Sequence, residues 1–435
     1  MTRSLMTSLC LATALVTPGQ VLAAERTPLE EFVEGFPIEL AERTIAASLP
    51  VWMAGGDESH YWSMRTSEVL PTAIVPRRIP TMALGERLMP QIGAIKAETE
   101  NFGSLTLNEF LARSDSFSQA FMVIHKGNIV FESYPRMRPS DHHVWMSNAK
   151  PTASLLIEIL ISQGLIDENA PMSDYIKEFK GTAWEGVTVI HTLNMASGLD
   201  IDDTAATRAD PNSHPHRLYL AEFNRPYKGK VERMIDVLAD AKYGSKPGQK
   251  FVYASAHTQA LVLLAEAVTG ERWAQSFDRL VWSKIGSEGP LQVHTSPDGV
   301  ALAHGVISSR LADMARFGML YTPSWNKIAT EQVVTDEILA RIQDGVQSHE
   351  FLMAGDNGPT YSFIMGDGDA PTFVSSSRQW DLLWEDGDMW KGGMMSQGLY
   401  VSPDKDLVIV YVSTNNDDHS IHRWMRPIAT SGLFE

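Results

Sequence analysis

The chain has almost no cysteine. Its single thiol, Cys10 in 435 residues, falls in an N-terminal stretch that reads as an export leader. Arg3 supplies a small positive start, Leu5 to Val16 an apolar run, and Leu22-Ala23-Ala24 a small-residue cleavage site. With residues 1–23 removed as a signal peptide, the mature protein has no cysteine, which excludes disulfides, a thiol nucleophile and a thiolate metal site. Leu9 rather than a small residue precedes Cys10, a poor fit to a lipoprotein anchor. A bacterial periplasmic or secreted location is expected. Membrane-length apolar runs are also missing, since the leader is short and interrupted by Thr and Ser, so no stable membrane anchor is expected. Basic charge is scarce: 36 basic against 53 acidic residues leave a formal net charge of -17, which repels phosphate backbones. Nucleic-acid partners are therefore not expected. Repeats, coiled coils and low-complexity tracts are absent. So is a Gly-x-Ser-x-Gly elbow, which removes an α/β-hydrolase triad from consideration.

What is present centres on Ser147-Asn148-Ala149-Lys150-Pro151. Apolar residues follow at helical spacing, Leu155 with Ile159 and Leu156 with Leu160. A helix starting near Ser147 puts Ser147 and Lys150 about one turn apart on one face, and Pro151 is tolerated in a first turn. The serine hydroxyl then lies beside an amine, and its own N–H points free at the positive helix end. That is the layout of an activated nucleophile with half an oxyanion hole; the competing reading is a plain N-cap serine. Ser-x-x-Lys recurs at Ser324/Lys327, which reads as a loop, and at Ser402/Lys405, which reads as a turn. Only Ser147 opens a long apolar helix.

Along the chain, Pro71, Pro76 and Pro80 break the stretch from about 25 to 105. His60-Tyr61-Trp62-Ser63 reads as an aromatic staple holding an N-terminal arm. Ala120 to Tyr134 reads as a hairpin about Lys126-Gly127-Asn128. Val187 to Gly198 is expected to be helical, with His191 a structural histidine. Residues 200–230 are polar and irregular, and such a stretch often lines a site. His214-Pro215-His216 is too little for a metal site. An extended piece carrying Tyr253 leads into a helix closed by Gly270. Ala301 to Tyr321 is helix-rich, with Arg310, Asp313 and Arg316 on its polar side. The C-terminal part is β-rich. The expected architecture is mixed α/β. An antiparallel sheet flanked by helices is built from both chain ends, with a mainly helical domain inserted. The expected divisions are an arm over 24–104, an α/β domain over 105–160 and 300–435, and a helical domain over 161–299, with the site at their junction.

Three motifs in order carry a resemblance. Ser147-Asn148-Ala149-Lys150 is similar to a nucleophile motif, Tyr253-Ala254-Ser255 to a Tyr-x-Asn/Ser motif, and Lys391-Gly392-Gly393 to a Lys-Thr-Gly-type motif on an edge strand. Over roughly 105–435 the chain resembles the serine β-lactamase-like family, which includes penicillin-binding proteins, class C β-lactamases, esterases and 6-aminohexanoate-oligomer hydrolases. Tyr61-Trp62-Ser63-Met64-Arg65 leans toward the last two. The resemblance implies a β-lactamase/transpeptidase-like fold. It also implies an acyl-enzyme on Ser147 with Lys150 and Tyr253 as base and acid, and backbone N–H groups of Ser147 and Met394 as oxyanion hole. Ser255, Lys391, Gly392 and Gly393 would meet a small-molecule substrate. Trp390 and its neighbours Trp380 and Trp384 either wall an apolar acyl pocket or, for at least one of them, pack in the strand core. No metal or other cofactor is implied. Ser255 stands where many relatives have Asn, and Gly392 where a Thr or Ser helps hold a β-lactam carboxylate, so a plain ester or amide is favoured. The alternatives are a penicillin-recognising D-peptidase or β-lactamase, and a non-catalytic ligand-binding protein on the same fold.

Overall fold

A run with no polar break, Leu407-Val408-Ile409-Val410-Tyr411-Val412, must be covered on both faces if it is a strand. The computed structural model, which describes residues 35–355, 357–367 and 372–434, makes it the inner strand of an eight-stranded sheet. The expected signal peptide, including Cys10, lies outside the described residues. We label the strands β1 (Ser118–His125), β2 (Asn128–Ser133), β3 (Ser375–Ser377), β4 (Trp380–Leu383), β5 (Met389–Gly393), β6 (Gln397–Ser402) and β7 (Leu407–Ser413). Their order is β3-β4-β5-β6-β7-β1-β2, with Gly85–Glu86 added parallel at the β2 edge and every other pair antiparallel. Both chain ends thus meet where β7 pairs with β1. Side chains of β7 alternate between two cores: Val408, Val410 and Val412 enter one, Leu407, Ile409 and Tyr411 the other.

The first core packs against helices α1 (Lys150–Ser162), α2 (Ser255–Thr269) and α3 (Leu311–Met319). Gly270 closes α2 at φ 69°, a left-handed value that glycine adopts without strain. A fourth helix, α4 (Asn357–Met365), lies against the second core. This is the expected mixed fold of antiparallel sheet and flanking helices. Trp62 and Trp52 stack at 5.8 Å in the N-terminal arm, as the aromatic staple requires. No helix among the described residues is long and apolar enough to cross a membrane.

Three local expectations need correction. The helix expected over 187–198 is only Val189–Leu193. Met195 turns to φ 52°, and the backbone beyond it pairs instead with the 248–252 segment, Val252 N–H to Met195 O and Gly248 N–H to Ala196 O. The stretch 200–230 is not irregular: Ala205–Ala209 and His214–Glu222 are helices, capped by the Thr204 and Ser213 side chains. Polar composition there serves the caps. Asp313 and Arg316 do not face solvent; both are buried, and Arg316 bridges Asp313 and Glu288.

Candidate active site

A short strand aims the nucleophile turn. His143–Val144 pairs with Ile307–Ser309, and Trp145 extends that hold through its N–H to Ile307 O (2.7 Å) and its Nε1 to Ser309 Oγ (2.9 Å). Met146 then turns at φ 48°, a left-handed conformation that costs a non-glycine residue about 1–3 kcal/mol. A single 3-10 turn, Met146–Ala149, feeds α1 with Pro151 in its first turn. Ser147 and Lys150 therefore stand one turn apart, as their spacing predicts.

The Lys150 amine is 3.1 Å from Ser147 Oγ, 3.5 Å from Ser255 Oγ and 2.6 Å from His304 O. The lysine is fully buried, and these three partners are uncharged. Burial, and next the Lys391 cation, lower its pKa from the ordinary lysine value to about 7, against the opposing pull of Asp203, Asp381 and Glu222. The His304 carbonyl is itself fixed: His304 N–H donates to Gln259 Oε1 (3.3 Å), and its ring Nε2 lies 3.1 Å from Glu222.

Tyr253 shares a hydrogen bond with Ser147, and both lysine amines lie over its ring, Lys150 at 5.1 Å and Lys391 at 4.7 Å from the centroid. Burial, then the Asp381 carboxylate, push its phenol well above the usual range, so it holds its proton at any ordinary pH. Lys391 is fully buried and donates to Tyr253 OH at 3.5 Å. It also makes a close ion pair with Asp381, whose other oxygen accepts Gly392 N–H at 3.1 Å. Asp381 was not singled out from the sequence. A signal for it exists: the Glu385-Asp386-Gly387 turn sets the register Leu382↔Trp390 and Leu383↔Met389, and one further step puts Asp381 opposite Lys391.

The two glycines after Lys391 serve opposite faces of β5. A Cβ on Gly393 would come within 3.0–3.2 Å of Met146, Asn148 and Trp145 O, so this glycine lets the strand end lie against the nucleophile turn. Met394 follows it and opens a turn in which Met395 and Ser396 both have φ 60°. Met394 is thus the residue that follows the strand end lying against the Ser147 turn. On the other face, a Cβ on Gly392 would collide with the Trp390 indole. On that face the glycine makes room for a tryptophan, which leaves only the Gly392 backbone to meet a substrate. Trp390 is not brought to the cleft. It is 1% exposed in the second core, with Nε1 on Tyr411 OH (3.1 Å). Trp380 and Trp384 are buried in the two cores as well, so the three do not together wall a pocket beside Ser147.

Ser255 is tied by its hydroxyl to Asp203 Oδ2 (2.8 Å), and Arg208 lies 3.2 Å from the other oxygen of that carboxylate. Behind Ser255 is a small cavity lined by Asp203, His214, Leu218, Tyr219 and Glu222. Asp203 and Glu222 escaped the sequence reading because no local spacing links them to Ser147. Asn148, beside the nucleophile, is fully buried with no hydrogen-bond partner for its amide. Among the described residues no group of three His, Cys, Asp or Glu is placed to hold a metal ion. His214 and His216 turn their rings to the carbonyls of Val237 and Arg208.

A serine hydroxyl beside a buried amine with a lowered pKa, a phenol with a raised one and a glycine-bearing strand is a constellation suited to acyl transfer. A family model described as Beta-lactamase matches residues 106–426. Over 361 residues the chain is 26% identical to a 6-aminohexanoate-dimer hydrolase of Paenarthrobacter ureafaciens, covering 82% of this chain and 86% of that one. A structure from Bacillus anthracis, provisionally described as a 6-aminohexanoate-dimer hydrolase, superposes with a TM-score of 0.69 at 20% identity, covering 96% of this chain and 97% of that chain. A class C beta lactamase from Rhodobacter sphaeroides gives 0.51 at 13% identity, covering 72% and 94%. At these identities the two structures speak to the fold alone.

Proposed function

The chain belongs to the beta-lactamase family and is a hydrolase of it, and on that premise we propose that it cleaves an ester or amide bond of a small molecule through an acyl-enzyme on Ser147. The observation that carries this reading is the Lys150 amine, fully buried, 3.1 Å from the serine hydroxyl and brought to about 7. A substantial fraction of it is then neutral near pH 7 and takes the Ser147 proton as the oxygen attacks the carbonyl carbon. Tyr253 cannot be that base, because its phenol stays protonated. It serves as the acid, giving its proton to the leaving oxygen or nitrogen and regaining one from Lys150, with which it titrates as a unit. Backbone N–H groups of Ser147 and Met394 receive the oxyanion, and loss of one such donor typically costs about 10²–10³ in rate. Water, deprotonated by the same pair, then releases the acid and restores Ser147.

Intact mass after a fluorophosphonate probe, beside Ser147→Ala, tests the reading together with turnover of short nitrophenyl esters and anilides. One adduct and turnover, both lost in the variant, are expected. A folded wild type that takes no adduct and turns nothing over sinks it and leaves a ligand-binding protein. The 6-aminohexanoate-dimer hydrolysis named for relatives is the reason to assay amides beside esters. The reading as a β-lactamase or penicillin-recognising peptidase has less support, since Gly392 offers no hydroxyl. The leader-like start supports a reaction outside the cytoplasm; sequencing the exported protein should find a mature chain beginning near Ala24.

A further inference from the structure

Lys391 is 0% exposed, so its charge has been taken wholly out of water. A buried ammonium is tolerated when an anion and further hydrogen bonds complete it. In a site that binds an anionic substrate through such a lysine, the anion arrives with the substrate. Here it is already part of the chain. Asp381 is buried opposite Lys391 on the neighbouring strand and pairs closely with its amine. Its second oxygen accepts the Gly392 N–H at 3.1 Å, and Tyr361 of α4 hydrogen-bonds to the same carboxylate. Three donors from three positions are thus spent on one internal carboxylate, and Tyr361, itself buried edge-on to Trp390 at 6.1 Å, closes over it. Lys391 and Asp381 act on Lys150 only through charge and touch neither Ser147 nor Lys150, so the neutralising of Lys391 inside the chain asks for its own reason.

We infer that Asp381 is a specificity-determining residue: it occupies the place of a substrate carboxylate beside Lys391, so the site takes esters or amides that carry no carboxylate close to the scissile bond. This rests on the acyl-enzyme reading above. The physical reason is the cost of like charges. A second carboxylate brought to the pair finds Lys391 already neutralised and Asp381 repelling it, with little water to screen either. A neutral substrate has no such cost and needs no donor from Lys391.

The probe pair is phenyl butyrate and meta-carboxyphenyl butyrate, which differ by one carboxylate. The wild-type protein should turn over the phenyl ester with kcat/KM at least about tenfold higher. Asp381→Asn, which keeps the shape and the Gly392 acceptor but frees the Lys391 charge, should narrow that preference by about tenfold or reverse it, and should let benzylpenicillin acylate Ser147 as read by intact mass. In Asp381→Ala, added formate should restore the wild-type preference by filling the vacated place, while chloride at equal strength should not. Equal kcat/KM for the two esters in the wild type overturns the proposal without recourse to any variant. An unchanged ratio in an Asp381→Asn protein that still takes the fluorophosphonate probe also overturns it. Absence of any adduct and any turnover in the wild type strikes the acyl-enzyme reading itself, a result these two outcomes cannot be confused with.

Discussion

Lys150 and Lys391 are the same side chain, both fully buried, both with their amines over the ring of Tyr253. Their surroundings differ in one respect. Lys150 touches two hydroxyls and a carbonyl, all uncharged, whereas Lys391 touches a carboxylate. Burial lowers the pKa of both amines, but Asp381 pulls that of Lys391 back toward the charged form. Lys391 in turn is the nearest cation pushing Lys150 toward neutrality. One lysine is brought toward its neutral form by lacking a counter-ion, and partly by the cation of the other. Burial alone does not decide what a lysine does; the formal charge of the nearest group does.

The sharpest break of this contrast is in activity. Lys150→Met should lower kcat/KM for a nitrophenyl ester by about 10³–10⁴, close to the effect of Ser147→Ala, because the two act as a unit. Its stability should move the other way. The folded pKa of about 7 lies below the unfolded value of 10.5, so between them the unfolded chain binds more protons, and Lys150 makes stability rise with pH by up to about 1.4 kcal/mol per unit. In the Met variant that slope should vanish, with a gain in urea midpoint near pH 7 that shrinks toward pH 10.

Lys391→Met should do the reverse. It leaves Asp381 as an uncompensated buried charge, and a loss of about 3–5 kcal/mol in urea unfolding is expected, recovered when Asp381→Leu is added. A smaller effect separates the two lysines by pH. The acid limb of kcat/KM should follow Lys150 with an apparent pKa near 7, and Asp203→Asn should shift that limb to lower pH, because the Asp203 charge favours the protonated amine. A limb that stays fixed in Asp203→Asn would remove Asp203 from the electrostatics of the site. The smallest effect is Trp390→Phe, which loses the Nε1 bond to Tyr411 in the second core. About 1 kcal/mol of stability should go, with KM unchanged, since the indole meets no substrate.

How much of this was legible in the sequence follows from how local each signal is. Ser147 and Lys150 are three residues apart and one turn fixes them. Tyr253 precedes a helix closed by Gly270, and the apolar runs within 120–133 and over 407–412 give inner strands. What spacing cannot reach is the pairing of distant segments. Asp203 meets Ser255 across 52 residues, and His304 offers its carbonyl to Lys150 across 154. Asp381 was within reach, since hairpin register alone puts it opposite Lys391, but composition drew the eye to the tryptophans instead. Those were misjudged because a strand so near the site still has a face turned away from it. The overlong helix over 187–198 failed for a related reason, in that its last residues give their backbone to a segment fifty positions on.

The contact between Gly392 and Trp390 bears on how this site can change over generations. A hydroxyl-bearing residue at 392 needs a Cβ, and that Cβ has nowhere to go while the indole is in place. Residue 390 has to shrink first, and a shrunken 390 on its own leaves a hole in a packed core and removes the Nε1 donor to Tyr411 OH, which keeps His422. Neither change is favourable alone, and only one order is even sterically open. A hydroxyl at 392 is therefore governed by a ring buried on the far side of the sheet, and the two positions can only change together.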